Sequence, residues 1–128
     1  MPSGMSGSDL LVDTNIIILT LGGSKRLAEY VEGKRLFISV ISEIEAFGYP
    51  GLTAKGRKQV EAYVGRCTVL GLTDKVKDET IAIRARYRSK VPDAIIAATA
   101  WTFGLTLLTA DKGFVKLAEI IEVDLFSQ

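Results

Sequence analysis

Histidine is absent from this chain, cysteine occurs once, proline three times, and no run of apolar residues is long. Without histidine there is no Ser-His-Asp or Cys-His arrangement and no general base of the commonest kind, so any catalysis runs on carboxylates, metals, Lys, Tyr or Cys. The lone Cys67 makes no internal disulfide and, with no His beside it, no zinc site of the usual kind. That cysteine usage points to a reducing, cytoplasmic setting. The uninterrupted apolar runs Ile16–Leu19 and Ala94–Ala98 fall far short of the roughly 20 residues a bilayer helix needs, so no membrane span is expected. The opening Met1–Ser8 has neither the basic segment nor the apolar core of a secretory signal. It reads as a flexible leader, and residues 9–128 as a single domain.

What is present suffices for a packed core. A chain of 128 residues, 48% hydrophobic and 24% charged, is one ordinary domain and argues against intrinsic disorder. Net charge is +1, but it is unevenly spread: residues 1–50 hold four basic and six acidic side chains, residues 51–90 ten and four, and residues 91–128 two and five. The middle third is basic enough to face a polyanion. Lys55, Arg57, Lys58, Arg66, Lys75 and Lys77 would serve equally well as solvated helix surface, and patterning alone leaves both readings open.

Along the chain, short apolar runs alternate with helical periodicity. Leu10-Leu11-Val12 reads as a buried strand, Thr14-Asn15 as a turn, and Ile16 onward as a helix broken at Gly22-Gly23. Leu27, Tyr30 and Val31 mark a second short helix closed by Gly33, Leu36–Val40 the next strand, and Ser42 the start of a helix that stops before Gly48-Tyr49-Pro50-Gly51. Val60, Tyr63, Val64 and Cys67 recur at helical spacing behind Thr53, which predicts an amphipathic helix over residues 54–66. Residues 67–71 read as a strand. Behind Thr73 or Asp74, Val76, Thr80, Ile83 and Tyr87 share one helix face; Pro92 marks a break and restart, with a helix from Asp93 to Phe103 ended by Gly104. Thr106–Thr109 is a strand, residues 112–118 a short helix, and residues 120–125 an edge strand. The alternation predicts an α/β fold: a three-layer α/β/α sandwich around a mostly parallel sheet of about five strands.

In such a sheet, ligands collect outside the carboxyl ends of the strands. Asp13 closes the first strand, Asp111 follows the Thr106–Thr109 strand in the same sense, and Glu43 and Glu45 lie just past Val40. Asp93, in the first turn of its helix, joins them if the preceding helix delivers it to that edge. Carboxylates gathered this way repel by about 4 kcal/mol per close pair at an effective dielectric near 20. A divalent cation relieves that repulsion, and hard oxygen ligands without His or Cys favour Mg²⁺ or Mn²⁺ over zinc. Each acid also has a purely structural reading: Asp13 and Asp111 as turn or helix caps, Ser42-x-x-Glu45 as a capping box, Asp93 as a favourable charge at a helix N-terminus. Capping does not, however, require all four to fall along one edge.

Four segments resemble the blocks of the PIN domain, in that family's order: Leu11-Val12-Asp13-Thr14-Asn15-Ile16-Ile17-Ile18, Ile38-Ser39-Val40-Ile41-Ser42-Glu43-Ile44-Glu45, Pro92-Asp93-Ala94-Ile95-Ile96-Ala97-Ala98-Thr99-Ala100 and Leu108-Thr109-Ala110-Asp111. The likeness is greatest to VapC-type toxins of toxin–antitoxin pairs. It implies a Mg²⁺- or Mn²⁺-dependent endoribonuclease with Asp13, a helix-borne Glu, Asp93 and Asp111 as its acidic set. The family's glutamate stands three residues after a Ser or Thr, which selects Glu45 counted from Ser42, ligating directly or through water; Glu43 is the second choice. Thr14, Asn15 and Thr109 match as polar neighbours that orient the acids. The last block departs from many VapC-type members, which carry Asn after the Thr and an acid further on, whereas here Asp111 is direct. Arg84, Arg86, Arg88 and Lys90, just ahead of Asp93, are the candidates for RNA backbone contact. The resemblance also implies a cognate antitoxin and a homodimer. Competing readings are a non-catalytic PIN-like module binding RNA or protein and a Mg²⁺-dependent phosphatase; the latter needs an acid two residues after Asp13, where Asn15 stands.

Overall fold

The computed structural model describes residues 8–127, so the expected leader, apart from Ser8, lies outside the described residues. Strand β1 (Asp9–Val12) leads into helix α1 (Thr14–Leu21), followed by α2 (Lys25–Val31), β2 (Arg35–Ser39), α3 (Val40–Phe47), α4 (Ala54–Gly65) and β3 (Thr68–Leu70). Helices α5 (Asp74–Tyr87) and α6 (Val91–Phe103) then follow one another with no strand between them, and after them come β4 (Thr106–Thr109), a 3₁₀ helix (Lys112–Leu117) and β5 (Val123–Leu125). The five strands form one sheet in the order β3-β2-β1-β4-β5, and every pairing is parallel. The architecture is the predicted α/β sandwich, with the sheet parallel throughout.

Side-chain alternation along the central strands explains the three layers, since successive residues of a strand point to opposite faces. Leu11 and Leu107 join the cluster built by α5, α6 and the 3₁₀ helix, including Val76, Ile83, Ala94, Ala97, Phe114 and Leu117. Leu10, Val12, Ile38 and Leu108 join the opposite cluster, with Ile16, Ile17, Leu27, Ala46, Val60 and Tyr63 of the first four helices. A strand buried on both faces has no polar positions to spare, which is why β1 and β4 read as near-continuous apolar runs. The amino ends of β1 and β2 are held by charge: Asp9, 2% exposed, accepts two hydrogen bonds from the Arg35 guanidinium at 2.6 and 2.7 Å. Asp9 and Arg35 are directly opposed in the β1–β2 register, so the pair pins that register.

Several boundaries differ from the sequence reading. Thr14 and Asn15 form the first turn of α1 because Asp13 serves as its N-cap, its side chain accepting the Ile16 N–H. Helix α3 starts at Val40, with Ser39 capping the Ile41 N–H; Ser42 is thus inside the helix, fully buried, and the Ser42–Glu45 spacing is not a capping box. Pro92 is the second residue of α6 rather than a break before it, a position where its missing N–H costs nothing. The break is instead Arg88, whose left-handed φ of 55° ends α5. Residues 120–122 lie outside β5, and the short helix after Asp111 is 3₁₀.

Candidate active site

The chain lays β1, β2 and β3 outward in one direction, then returns to place β4 and β5 on the other side of β1. The order therefore reverses between β1 and β4, and the loops leaving their carboxyl ends part to opposite faces, leaving a crevice. Asp13 and Asp111 stand at that point. A cavity of about 420 Å³ opens there, lined among others by Asp13, Asn15, Glu45, Tyr49, Asp93 and Asp111. The structure thus brings together four of the five acids singled out from the sequence. Glu43 does not line the cavity, being two residues from Glu45 and on another side of α3.

Each acid arrives by a different local device. Asp13 is held at both oxygens: Oδ1 accepts the Ile16 N–H at 2.9 Å, and Oδ2 accepts the Thr109 hydroxyl in a short hydrogen bond. Thr109 Oγ1 also accepts the Asp111 N–H at 3.0 Å, so one hydroxyl ties the two strand ends together. Asp111 Oδ1 caps the 3₁₀ helix through the Gly113 N–H at 2.8 Å. Glu45 is reached across helices, with Thr14 Oγ1 2.6 Å from its Oε1 and 3.0 Å from the Ser42 hydroxyl. A hydroxyl has one proton, so Thr14 donates to the carboxylate and shares its oxygen with Ser42. Asp93 accepts no hydrogen bond from any described residue, although it stands in the first turn of α6. Capping hydrogen bonds therefore account for parts of Asp13 and Asp111 and not for Glu45, while Asp93 does hold the favourable place of a negative charge in the first turn of α6.

The charges interact as expected of carboxylates sharing a cavity. Burial, reinforced by the negative charges of Asp111 and Asp93, raises the Asp13 carboxyl above the ordinary aspartate range, against the opposing hydrogen bonds from Thr109 and Ile16. Burial also raises Asp93, with Asp111 and Glu45 adding to the shift and Lys90 and Lys116 working against it. Such a site is negatively charged beyond what its neighbours compensate. Its donors are all oxygen, and each carboxylate oxygen that accepts one hydrogen bond keeps a second lone pair. That chemistry fits a hard divalent cation. Among the described residues no three such side chains are already drawn to a single ligating point, so the acids surround the cavity instead of converging within it.

The basic candidates are placed unequally. Arg84 Nε donates to the Ser89 carbonyl at 3.2 Å, and Arg86 pairs with Glu119 at 3.3 Å, so both guanidinium groups hold local structure. Arg88 is exposed at the turn between α5 and α6, and the charge of Lys90 acts on Asp93. Sequence reasoning did not single out Tyr49, Pro50, Ile18, Ile96 or Phe114, which complete the cavity wall. The Gly48–Gly51 segment was legible only as a helix stop; its place beside the acids depends on how α3 packs against α1 and carries no local signal.

An all-parallel α/β domain with an acidic cavity at the point where its strand order reverses is the class that this geometry defines. The family follows from comparison: residues 10–120 match the PIN domain family model, and the chain belongs to that family. No curated protein matches it by sequence. Among solved structures, it is similar to a chain of VapBC2 from Rickettsia felis bound to a promoter DNA fragment (TM-score 0.83, 14% identity, covering 93% of this chain and 99% of that one). A toxin–antitoxin complex from Klebsiella pneumoniae matches with a TM-score of 0.73 and 27% identity over 90% of this chain and 95% of the other. DNA-bound VapBC from Salmonella typhimurium matches with a TM-score of 0.77 and 23% identity, covering 91% and 96%. Among the described residues no helix is long and apolar enough to cross a membrane.

Proposed function

We propose that this chain is a metal-dependent endoribonuclease and the toxin of a toxin–antitoxin pair. The observation that carries the nuclease reading is the gathering of Asp13 and Asp111, from two strand exits, with Glu45 of α3 and Asp93 of α6 around one cavity at the strand-order reversal. Asp13, Asp93 and Asp111 are the residues to hold Mg²⁺ or Mn²⁺, with Glu45 ligating directly or through water. A divalent cation there supplies Lewis acidity, offsetting phosphodiester charge and making water more acidic.

The chain's own residues do the rest. Thr109 fixes Asp13 and the Asp111 backbone in one relation, so the two strand-end acids move together. Thr14 orients Glu45, whose other carboxylate oxygen would hold the attacking water and take its proton as the water oxygen bonds to phosphorus, while the P–O bond to the ribose oxygen breaks and that departing oxygen takes a proton from solvent. Asn15, exposed beside the cavity, offers an amide to the sugar-phosphate backbone. Lys90, whose charge acts on Asp93, and Arg88, exposed at the turn ahead of α6, are the candidates for contact with the RNA backbone. Arg84 and Arg86 would have to leave their present partners to take part.

The toxin reading rests on the structural neighbours, several of which are toxin–antitoxin complexes matched over nearly the full length of both chains. It carries with it an antitoxin partner, a homodimer and a cytoplasmic setting. Residues 9–128 act as one unit in this reading. The test is cleavage of a total RNA pool, transfer RNA included, by purified protein with EDTA, Mg²⁺ or Mn²⁺, beside Asp93→Asn prepared identically. Metal-dependent cuts lost in the variant are the expected result. Absence of cleavage under every metal, with the protein free of any co-purifying partner, would favour a binding module instead.

A further inference from the structure

The 3₁₀ helix that follows Asp111 has three residues per turn, so side chains three apart stack on one face. Its burial pattern follows that period. Phe114 and Leu117 are buried, 2% and 1% exposed, and pack into the core, while the other two faces are exposed. One exposed face carries Lys112 and Val115, and the other carries Gly113 and Lys116. Gly113 is the residue whose N–H binds the Asp111 carboxylate, and a Cβ placed on it would lie 3.1 Å from Asp111 Oδ1. Lys116 therefore stands one turn along from Gly113 on the same exposed face, just outside the cavity, to whose wall this helix contributes Phe114. Its charge is felt at Asp93 alongside that of Lys90, which caps α6 three residues ahead of Asp93 without a side-chain capping bond. Neither lysine forms an ion pair within 4 Å with any described residue, in contrast to Arg86.

We infer that Lys116 is a positioning residue for the nucleic-acid strand, seating a phosphate beside the acidic cavity from the 3₁₀-helix side while Lys90 does so from the α6 side. This rests on the nuclease reading above and assigns it a specific contact. The physical need is plain. A cavity ringed by four carboxylates repels a polyanion, and cations on two flanks offset that repulsion without neutralising the acids by direct pairing. Arg84 and Arg86, held by Ser89 and Glu119, do not supply this.

The experiment measures binding of a short labelled single-stranded RNA of mixed sequence by fluorescence anisotropy across a salt series. It uses Asp93→Asn protein with Mg²⁺, so that the strand is bound and not cut. Adding Lys116→Gln is expected to weaken binding about fivefold at low salt and to flatten the slope of log affinity against log salt by about 0.7, the loss of one phosphate contact. Lys116→Arg keeps both values. Lys112→Gln, which removes the same charge from the neighbouring face of the same helix, leaves the slope unchanged. Equal effects from Lys112→Gln and Lys116→Gln, or no effect from either, would overturn the assignment. In an otherwise wild-type chain, Lys116→Gln raises KM for cleavage while kcat holds; metal-dependent cleavage with KM unmoved removes the lysine contact and leaves the nuclease intact. A wild-type protein that neither cuts nor binds RNA removes both.

Discussion

At the scale of single residues, Thr109 links two acids that are far apart in sequence: its hydroxyl donates to Asp13 and accepts from the Asp111 N–H. Thr109→Val keeps the shape and removes both bonds in a fully buried position. Cleavage is expected to fall about 10- to 100-fold, as for other residues that orient metal-binding groups, measured as kcat on a fixed RNA substrate. The raised Asp13 and Asp93 carboxyls give a second prediction. Burial first, then neighbouring charge, makes their folded values higher than the ordinary 3.8, so the folded protein binds protons more tightly than the unfolded chain. Stability from this source is complete below the unfolded value and is lost as pH rises through the folded one. In metal-free protein, thermal melts of Asp93→Asn and wild type should therefore diverge in favour of the variant as pH rises above the ordinary aspartate range. Cys67 belongs to the other class of perturbed groups. Burial pushes its thiol up to about 11, so alkylation near neutral pH should be slow until the protein unfolds.

Among the secondary-structure elements, helix ends decide most of what the acids can reach. Gly104 closes α6 in the left-handed region at φ 64°, with its N–H bonded back to the helix. Gly104→Ala should cost about 1 kcal/mol in chemical denaturation. The same glycine was legible in the sequence, because its position after an apolar helix is what a left-handed cap requires. Arg88 was not. A non-glycine residue with positive φ between α5 and α6 carries no local signature, and Pro92 drew attention to the wrong residue. Ser42 misled in the same way. Its spacing to Glu45 suggests a capping box, yet Ser39 already caps α3, leaving Ser42 buried and turned to Thr14. Short-range capping rules see only one helix, whereas Ser42 is placed by the contact between two.

For the whole molecule, the apolar sheet carries the site. Leu107, fully buried in β4, packs against α6 and the 3₁₀ helix. Leu107→Ala should cost about 2–5 kcal/mol by denaturant unfolding, a large part of the 5–15 kcal/mol typical of a domain. Divalent metal should act in the opposite direction. If the acids bind Mg²⁺ or Mn²⁺ in the folded state alone, the stabilisation reaches about 2.7 kcal/mol at a hundredfold excess over Kd. Calorimetry should show the melting temperature climbing with metal in wild type and staying flat in Asp93→Asn.

The sequence by itself determined the alternation of elements, a mostly parallel sheet, and three aspartates with a pair of glutamates as the candidate acids, because strand exits, apolar periodicity and residue chemistry are local properties read within a few residues. It did not determine that Asp93 reaches the same cavity as Asp13. That depended on the α5–α6 pair crossing one face of the sheet and turning at Arg88. Residue chemistry and spacing left Glu43 and Glu45 side by side, and only the family resemblance ranked Glu45 first; its place at the wall follows from how α3 packs against α1 and from the Thr14 bond. Only the tertiary structure decided which cations remain available. Arg86 stands out in the sequence and Lys116 does not, yet Glu119 takes up the first, while the second shares the exposed face of Gly113, where the period of a 3₁₀ helix puts it.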